Sequence, residues 1–95
     1  MLRIITHPET DKRIRLQLAG RIGPEEIELL DGELRRLQHP GTQLVLDLAG
    51  IQFIDPAGLE LLERWLAAGL QLCGGSVFIR RALAASGLQH QVDLP

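Results

Sequence analysis

The sequence predicts an α/β domain in which a mixed four-stranded sheet packs against about three helices, in the order β-β-α-β-α-β-α. Three observations predict it. Arg13-Ile14-Arg15-Leu16-Gln17-Leu18 alternates strictly between polar and apolar, the period of a half-buried strand with Ile14, Leu16 and Leu18 on one face. Ile27, Leu30, Leu34 and Leu37 recur at helical spacing and form one apolar stripe. Leu44-Val45-Leu46-Asp47-Leu48 is almost continuously apolar, as suits a central parallel strand covered on both faces.

The elements follow in order. Leu2–Thr6 is short, apolar and β-branched, and reads as a strand. His7–Lys12 is polar and holds Pro8, so it reads as a turn. The short connection makes the two strands an antiparallel hairpin. Gly20-Arg21-Ile22-Gly23-Pro24 then interrupts the chain. Pro24 suits the first helical position, where its missing N–H costs nothing. Glu25 and Glu26 follow it, where the helix dipole favours negative charge. With Arg35 and Arg36 near the end and His39-Pro40-Gly41 beyond, the helix spans about 24–38.

After the central strand, Asp55-Pro56 supplies an acidic N-cap and a proline at the first helical position. Leu59, Leu62 and Leu66 share a face, joined by Leu61 and Trp65, and Gly69 suits a left-handed helix end. Two readings of the next stretch are open. In the preferred one the helix stops at Ala68, Leu70–Cys73 is a short strand, and Ser76 caps a helix over about 77–86. Phe78, Ala82 and Ala85 then form its stripe. In the other, the helix continues to Cys73 and Ser76–Arg80 is a strand. The tail beyond Gly87 reads as irregular.

Composition bounds the function. The 95 residues suit one domain, 1–95, and 45% hydrophobic content is enough for a core. Two Phe, one Trp and no Tyr make that core aliphatic. Ten basic and 12 acidic residues leave a net charge of −2, which gives no electrostatic footprint for nucleic acid and no polybasic run for a membrane surface. No apolar run approaches the ~18 residues of a membrane span, so no membrane insertion is expected. Met1-Leu2-Arg3-Ile4 opens without the apolar stretch of a signal peptide, and the expected compartment is the cytoplasm.

No catalytic constellation is visible. His7, His39 and His90 fall in predicted loops, and with Cys73 they show no metal-ligand spacing. Cys73 reads as a small buried hydrophobe. Gly74-Gly75 is followed by no lysine and is no phosphate loop. There is no Gly-x-Ser-x-Gly elbow and no nucleophile beside a base. Trp65 reads as the cover of a helix–sheet seam or as an interface anchor. Asp47 reads as structural, bonded to a turn backbone. Arg80-Arg81 reads as a solvated pair or a contact to an acidic partner.

One stretch carries a resemblance. Leu44-Val45-Leu46-Asp47-Leu48-Ala49-Gly50-Ile51-Gln52-Phe53-Ile54-Asp55-Pro56-Ala57-Gly58-Leu59 resembles the core signature of STAS domains, the anti-sigma-factor antagonist family. That signature is an apolar strand ending Asp-Leu, a turn, an apolar pair, then Asp, two small residues, Gly and Leu. Leu16-Gln17-Leu18-Ala19-Gly20-Arg21-Ile22 is similar to the family's second strand and its exit, and the likeness covers roughly residues 2–88. The resemblance implies a STAS-like fold and a non-enzymatic protein-binding module without cofactor. Its partner-binding residues would be Asp55, Pro56, Ala57, Gly58 and Leu59.

In phospho-regulated members the residue before that Gly is a Ser or Thr, modified by a partner kinase that is itself an anti-sigma factor. Here it is Ala57, a degenerate phosphosite position. The chain's hydroxyl residues, Thr6, Thr10, Thr42, Ser76 and Ser86, lie elsewhere. The implied partner is a kinase-type anti-sigma factor, bound without the usual switch. Alternatives are the ATPase subunit of a lipid-exporting ABC transporter, or a nucleotide or other small ligand.

Overall fold

The computed structural model describes residues 1–88. Its elements are β1 (Leu2–Thr10), β2 (Arg13–Ile22), a 3-10 turn (Pro24–Glu26) leading into α1 (Ile27–Leu37), β3 (Gln43–Ile54), α2 (Pro56–Ala67), β4 (Gln71–Cys73) and α3 (Val77–Ala85). The sheet order is β1-β2-β3-β4. β1 runs antiparallel to β2, and β2, β3 and β4 are parallel. The β-β-α-β-α-β-α order and the mixed four-stranded sheet are those the sequence predicts. The preferred reading of the last third holds: the strand is at Gln71–Cys73 and the helix at Val77–Ala85.

The strands stand in chain order, and parallel crossovers of the usual right hand then put successive helices on one face of the sheet. The buried residues agree. Leu16 and Leu18 of β2, and Leu46 and Leu48 of β3, form one core with Leu30 and Leu34 of α1, Leu61 and Leu62 of α2, and Ile79 and Leu83 of α3. All are essentially inaccessible to solvent. Strand alternation turns Arg13, Arg15 and Asp47 to the opposite face, where Arg15 Nη1 meets Asp47 Oδ2 at 3.1 Å. The central strand expected to be covered on both faces is so at Val45, but the helices cover only one of those faces. Val45 and Cys73, though buried, stand outside the core that the helices share.

Four further details differ from the expectation. The turn read over His7–Lys12 is only Asp11-Lys12, because β1 continues to Thr10. Pro8 is tolerated because β1 is an edge strand. Arg21 N–H donates to Met1 O at 3.1 Å, and alternation from that bond along the register leaves the Pro8 nitrogen facing away from β2.

β3 is far longer than Leu44–Leu48. It gains one residue on β2 between Asp47 and Gly50, and another between Ile51 and Phe53. The first bulge carries the strand through Ala49-Gly50, where Asp47 Oδ1 accepts from Ala49 N–H at 3.0 Å. The structural reading of Asp47 thus holds.

The first helix opens as a 3-10 turn, with the α-helix proper beginning at Ile27. In α3 the buried face is Ile79 and Leu83. Phe78 is 63% exposed, and Ala85 is exposed as well. The neighbouring register of the same periodicity wins because Ile79 and Leu83 are the larger aliphatic pair. The tail expected to be irregular lies mostly outside the described residues.

Candidate functional site at the start of α2

The chain enters α2 from the long end of β3. Asp55 N–H donates to Ile22 O at 3.0 Å, tying the entry to the end of β2. Asp55 has extended backbone geometry, and its Oδ1 accepts from Gly58 N–H at 2.9 Å. That is an N-cap. Pro56 at the first helical position has no N–H to satisfy.

Gly58 is buried and fixed by its neighbours. A Cβ there would stand 2.9 Å from Ile22 O, Ile22 Cγ2 and Ile54 Cγ2. The first turn of α2 therefore sits against the ends of β2 and β3 with no room for a side chain at this position. Leu59 is half-buried and joins the core. Pro56 is exposed and Ala57 half-exposed. The five residues read from the sequence thus divide: Asp55, Gly58 and Leu59 build the turn, while Pro56 and Ala57 present its surface.

This helix start has little capacity for an anion. Pro56 offers no donor, Gly58 N–H is spent on Asp55, and Leu59 N–H bonds to Asp55 O at 3.0 Å. Only the Ala57 N–H is left without a partner among the described residues. A phosphate-binding helix start needs several converging donors.

Next to this turn lies a pair that sequence reasoning did not single out. Arg21 and Phe53 are direct partners across β2 and β3, one position before Ile22 and Ile54. The Arg21 guanidinium carbon lies 5.5 Å from the centre of the Phe53 ring, within cation–π range. Phe53 is 41% exposed. Both residues stand in the stretches quoted above, but the bulges in β3 set their register, and no residue spacing reveals it.

Trp65 is buried between α1 and α2, and its Nε1 donates to Asp31 Oδ1 at 2.8 Å. Arg35 Nε donates to the other carboxylate oxygen at 2.8 Å. Trp65 therefore seals a seam between two helices. A cleft of about 290 Å³ beside it, lined by Asp31, Arg35, Gln38, Arg64, Trp65 and Ala68, lies at the far end of α2 from Asp55. Among the described residues no three His, Cys, Asp or Glu side chains are grouped to hold a metal ion, and no helix is long and apolar enough to cross a membrane.

The mixed sheet in chain order, the helices on one face and the Asp55-capped turn at the strand ends define a STAS domain. The family model described as "Mlab, STAS domain" matches residues 5–94, and the chain belongs to that family. The fold is similar to that of an anti-sigma factor antagonist from Mycobacterium paratuberculosis, at TM-score 0.79 and 17% identity over 92% of this chain and 79% of that one. It is also similar to the anti-sigma factor antagonist SpoIIAA in its unphosphorylated form, at TM-score 0.72 and 21% identity over 90% and 82%. The phosphorylated form of SpoIIAA from Bacillus matches at TM-score 0.66 and 17% identity over 90% and 85%. No curated protein sequence gives a significant match.

Proposed function

We propose that this chain is a non-enzymatic docking module that binds a regulatory protein partner through the first turn of α2, with Pro56 and Ala57 at the contact. Asp55, Gly58 and Leu59 hold that turn in shape. The partner class is a kinase-type anti-sigma factor, bound without a phosphoswitch. The observation that carries this reading is Ala57: a half-exposed methyl on a rigidly seated turn, at the position where phospho-regulated members of the family carry a hydroxyl. Binding is then constitutive, because the modification that would release the partner has no acceptor.

A second reading places the same turn against the ATPase subunit of a lipid-exporting ABC transporter. The family model that matches is the Mlab one, and a permanent subunit has no use for a release switch. The genes adjacent to this one separate the two readings.

The test is affinity beside stability. Ala57→Asp puts a charge on the surface of a helix start, where the dipole tolerates it. It should weaken binding to the purified partner by at least about tenfold while thermal melting is preserved. Unchanged affinity would reject the docking role. Intact-mass measurement after incubation with the partner and ATP should show no added phosphate. One phosphate mapped to Ser76 or a threonine would reject the switchless reading.

A further inference from the structure

The Arg21–Phe53 pair stands at the edge of this turn with its chemistry unspent. Its place is fixed from both sides. Arg21 and Phe53 face each other in the ladder, and the next pair, Ile22 and Ile54, packs directly on Gly58. The ring holds the guanidinium at 5.5 Å but takes none of its N–H groups as a carboxylate would. Among the described residues no carboxylate pairs with Arg21. Glu26 is close enough to feel its charge, but Glu26 Oε1 accepts from Gly23 N–H at 2.9 Å and Oε2 lies 3.4 Å from the terminal ammonium. Among the described residues, four of the eight other arginines are spent in ion pairs, Arg13 and Arg15 with Glu9, Arg35 with Asp31, and Arg36 with Glu33, whereas Arg21 is set over an aromatic ring.

A guanidinium laid on an aromatic ring is already oriented, so less side-chain freedom is lost when it binds. Its N–H fork matches a carboxylate in two parallel hydrogen bonds. The exposed part of Phe53 beside it offers apolar area to whatever carries that carboxylate. Arg and aromatic residues, Phe among them, are enriched at protein interfaces.

We infer that Arg21 and Phe53 form an anchor for the partner protein, receiving an Asp or Glu side chain bordered by an apolar residue. The inference deepens the proposed function and rests on it, because it extends the same docking face from α2 onto the ends of β2 and β3. Recognition there is by charge complementarity: a positive, preorganised fork meets a partner carboxylate, and the apolar neighbour covers Phe53.

The experiment is site-specific photo-crosslinking in the native host. Benzoylphenylalanine replaces Phe53 in one version of the full chain and Ala57 in another, and cross-linked peptides are identified by mass spectrometry. The inference expects both positions to join the same partner protein, position 53 at a peptide containing Asp or Glu. Affinity for that purified partner is then measured with Arg21→Glu, Arg21→Lys and Arg21→Ala. Arg21→Glu and Arg21→Ala should weaken binding about thirtyfold or more, as befits a charge-assisted hydrogen bond. Arg21→Lys should recover only part of it, because an ammonium lacks the fork. Thermal melting of each variant guards against a folding effect.

Cross-linking from position 57 alone, or Arg21 variants that bind within twofold of the parent, would overturn the anchor and leave the α2 docking site standing. Cross-linking of position 53 to a second copy of this chain would also overturn it. Cross-linking from 53 but not from 57 would overturn the α2 reading instead. No cross-link to any protein from either position would overturn both.

Discussion

Gly58 and Ile22 approach so closely that a Cβ on Gly58 would stand 2.9 Å from both the carbonyl oxygen and Cγ2 of Ile22. Gly58→Ala sets two effects against each other. Alanine favours a helix over glycine by about 1 kcal/mol, but overfilling a close-packed site typically costs about 1–3 kcal/mol. One obstacle is backbone and the third, Ile54 Cγ2, belongs to a buried side chain, so the crowding wins. Gly58→Ala should lower the denaturant midpoint. A variant at or above the parent's stability would show that α2 can slide away from the sheet.

Asp55 is expected to matter to the fold first and to binding second. Asp55→Ala removes the acceptor for Gly58 N–H and should cost about 1 kcal/mol, or about 4–8 °C in melting temperature for a chain of this size. Asp55→Asn keeps a capping oxygen and should recover most of the loss. Equal losses for the two variants would argue that the carboxylate's charge, rather than its capping bond, is what counts.

Stability should fall at acid pH, and Glu26 is one cause. The hydrogen bond from Gly23 N–H, with the terminal ammonium beside it, holds the Glu26 carboxyl below its usual range. Hydrogen bonds from Arg15 and Arg13 do the same to Glu9, and the two from Arg36 do so to Glu33. A carboxylate whose folded pKa is depressed lends stability above its unfolded value, about 4.3 for Glu. That contribution is lost as pH falls through the folded value. Melting temperature should therefore drop below about pH 4. Glu26→Gln keeps an acceptor for Gly23 and removes one titrating group, so its melting temperature should depend less steeply on acid. Parallel pH curves for the two proteins would contradict this assignment.

Cys73 should be unreactive in the folded protein. Burial pushes its thiol pKa up, and the negative charge of Asp47 pushes the same way. Since the thiolate is the reacting species, a chromogenic disulfide reagent at neutral pH should label Cys73 slowly in the native state and fully in denaturant. Rapid native labelling would show that the edge of β4 opens.

Where local chemistry decides structure, the residues announced it. Asp55-Pro56 is both the predicted and the observed start of α2, and Ser76, whose Oγ accepts from Ile79 N–H at 3.2 Å, marks α3 in the same way. Gly69, at φ +105°, ends α2 as a left-handed residue should. What stayed hidden depends on partners distant in sequence. Pro8 looks like a turn until β1 is known to be an edge strand. Ala49-Gly50 looks like a turn until the bulges against β2 are seen. The candidate site was legible as the stretch 55–59 because it is continuous in sequence. The Arg21–Phe53 pair was not, because its two residues lie on different strands with α1 between them in the chain, and the bulges in β3 set their register.

The outward-facing nitrogen of Pro8 has a consequence for how molecules of this protein meet one another. β1 is nine residues long and forms one border of the sheet. Such a border is a template on which a strand from a second molecule can add, each unpaired N–H and C=O inviting another. Along β1 the template carries a gap: at Pro8 the group facing the newcomer is a ring carbon where a donor would be. The register shift between Pro8 and Thr10 bends the remainder away from a straight line. A strand zipping along this border from Leu2 loses its partner at Pro8, so the growth of one sheet into the next stops short of the hairpin.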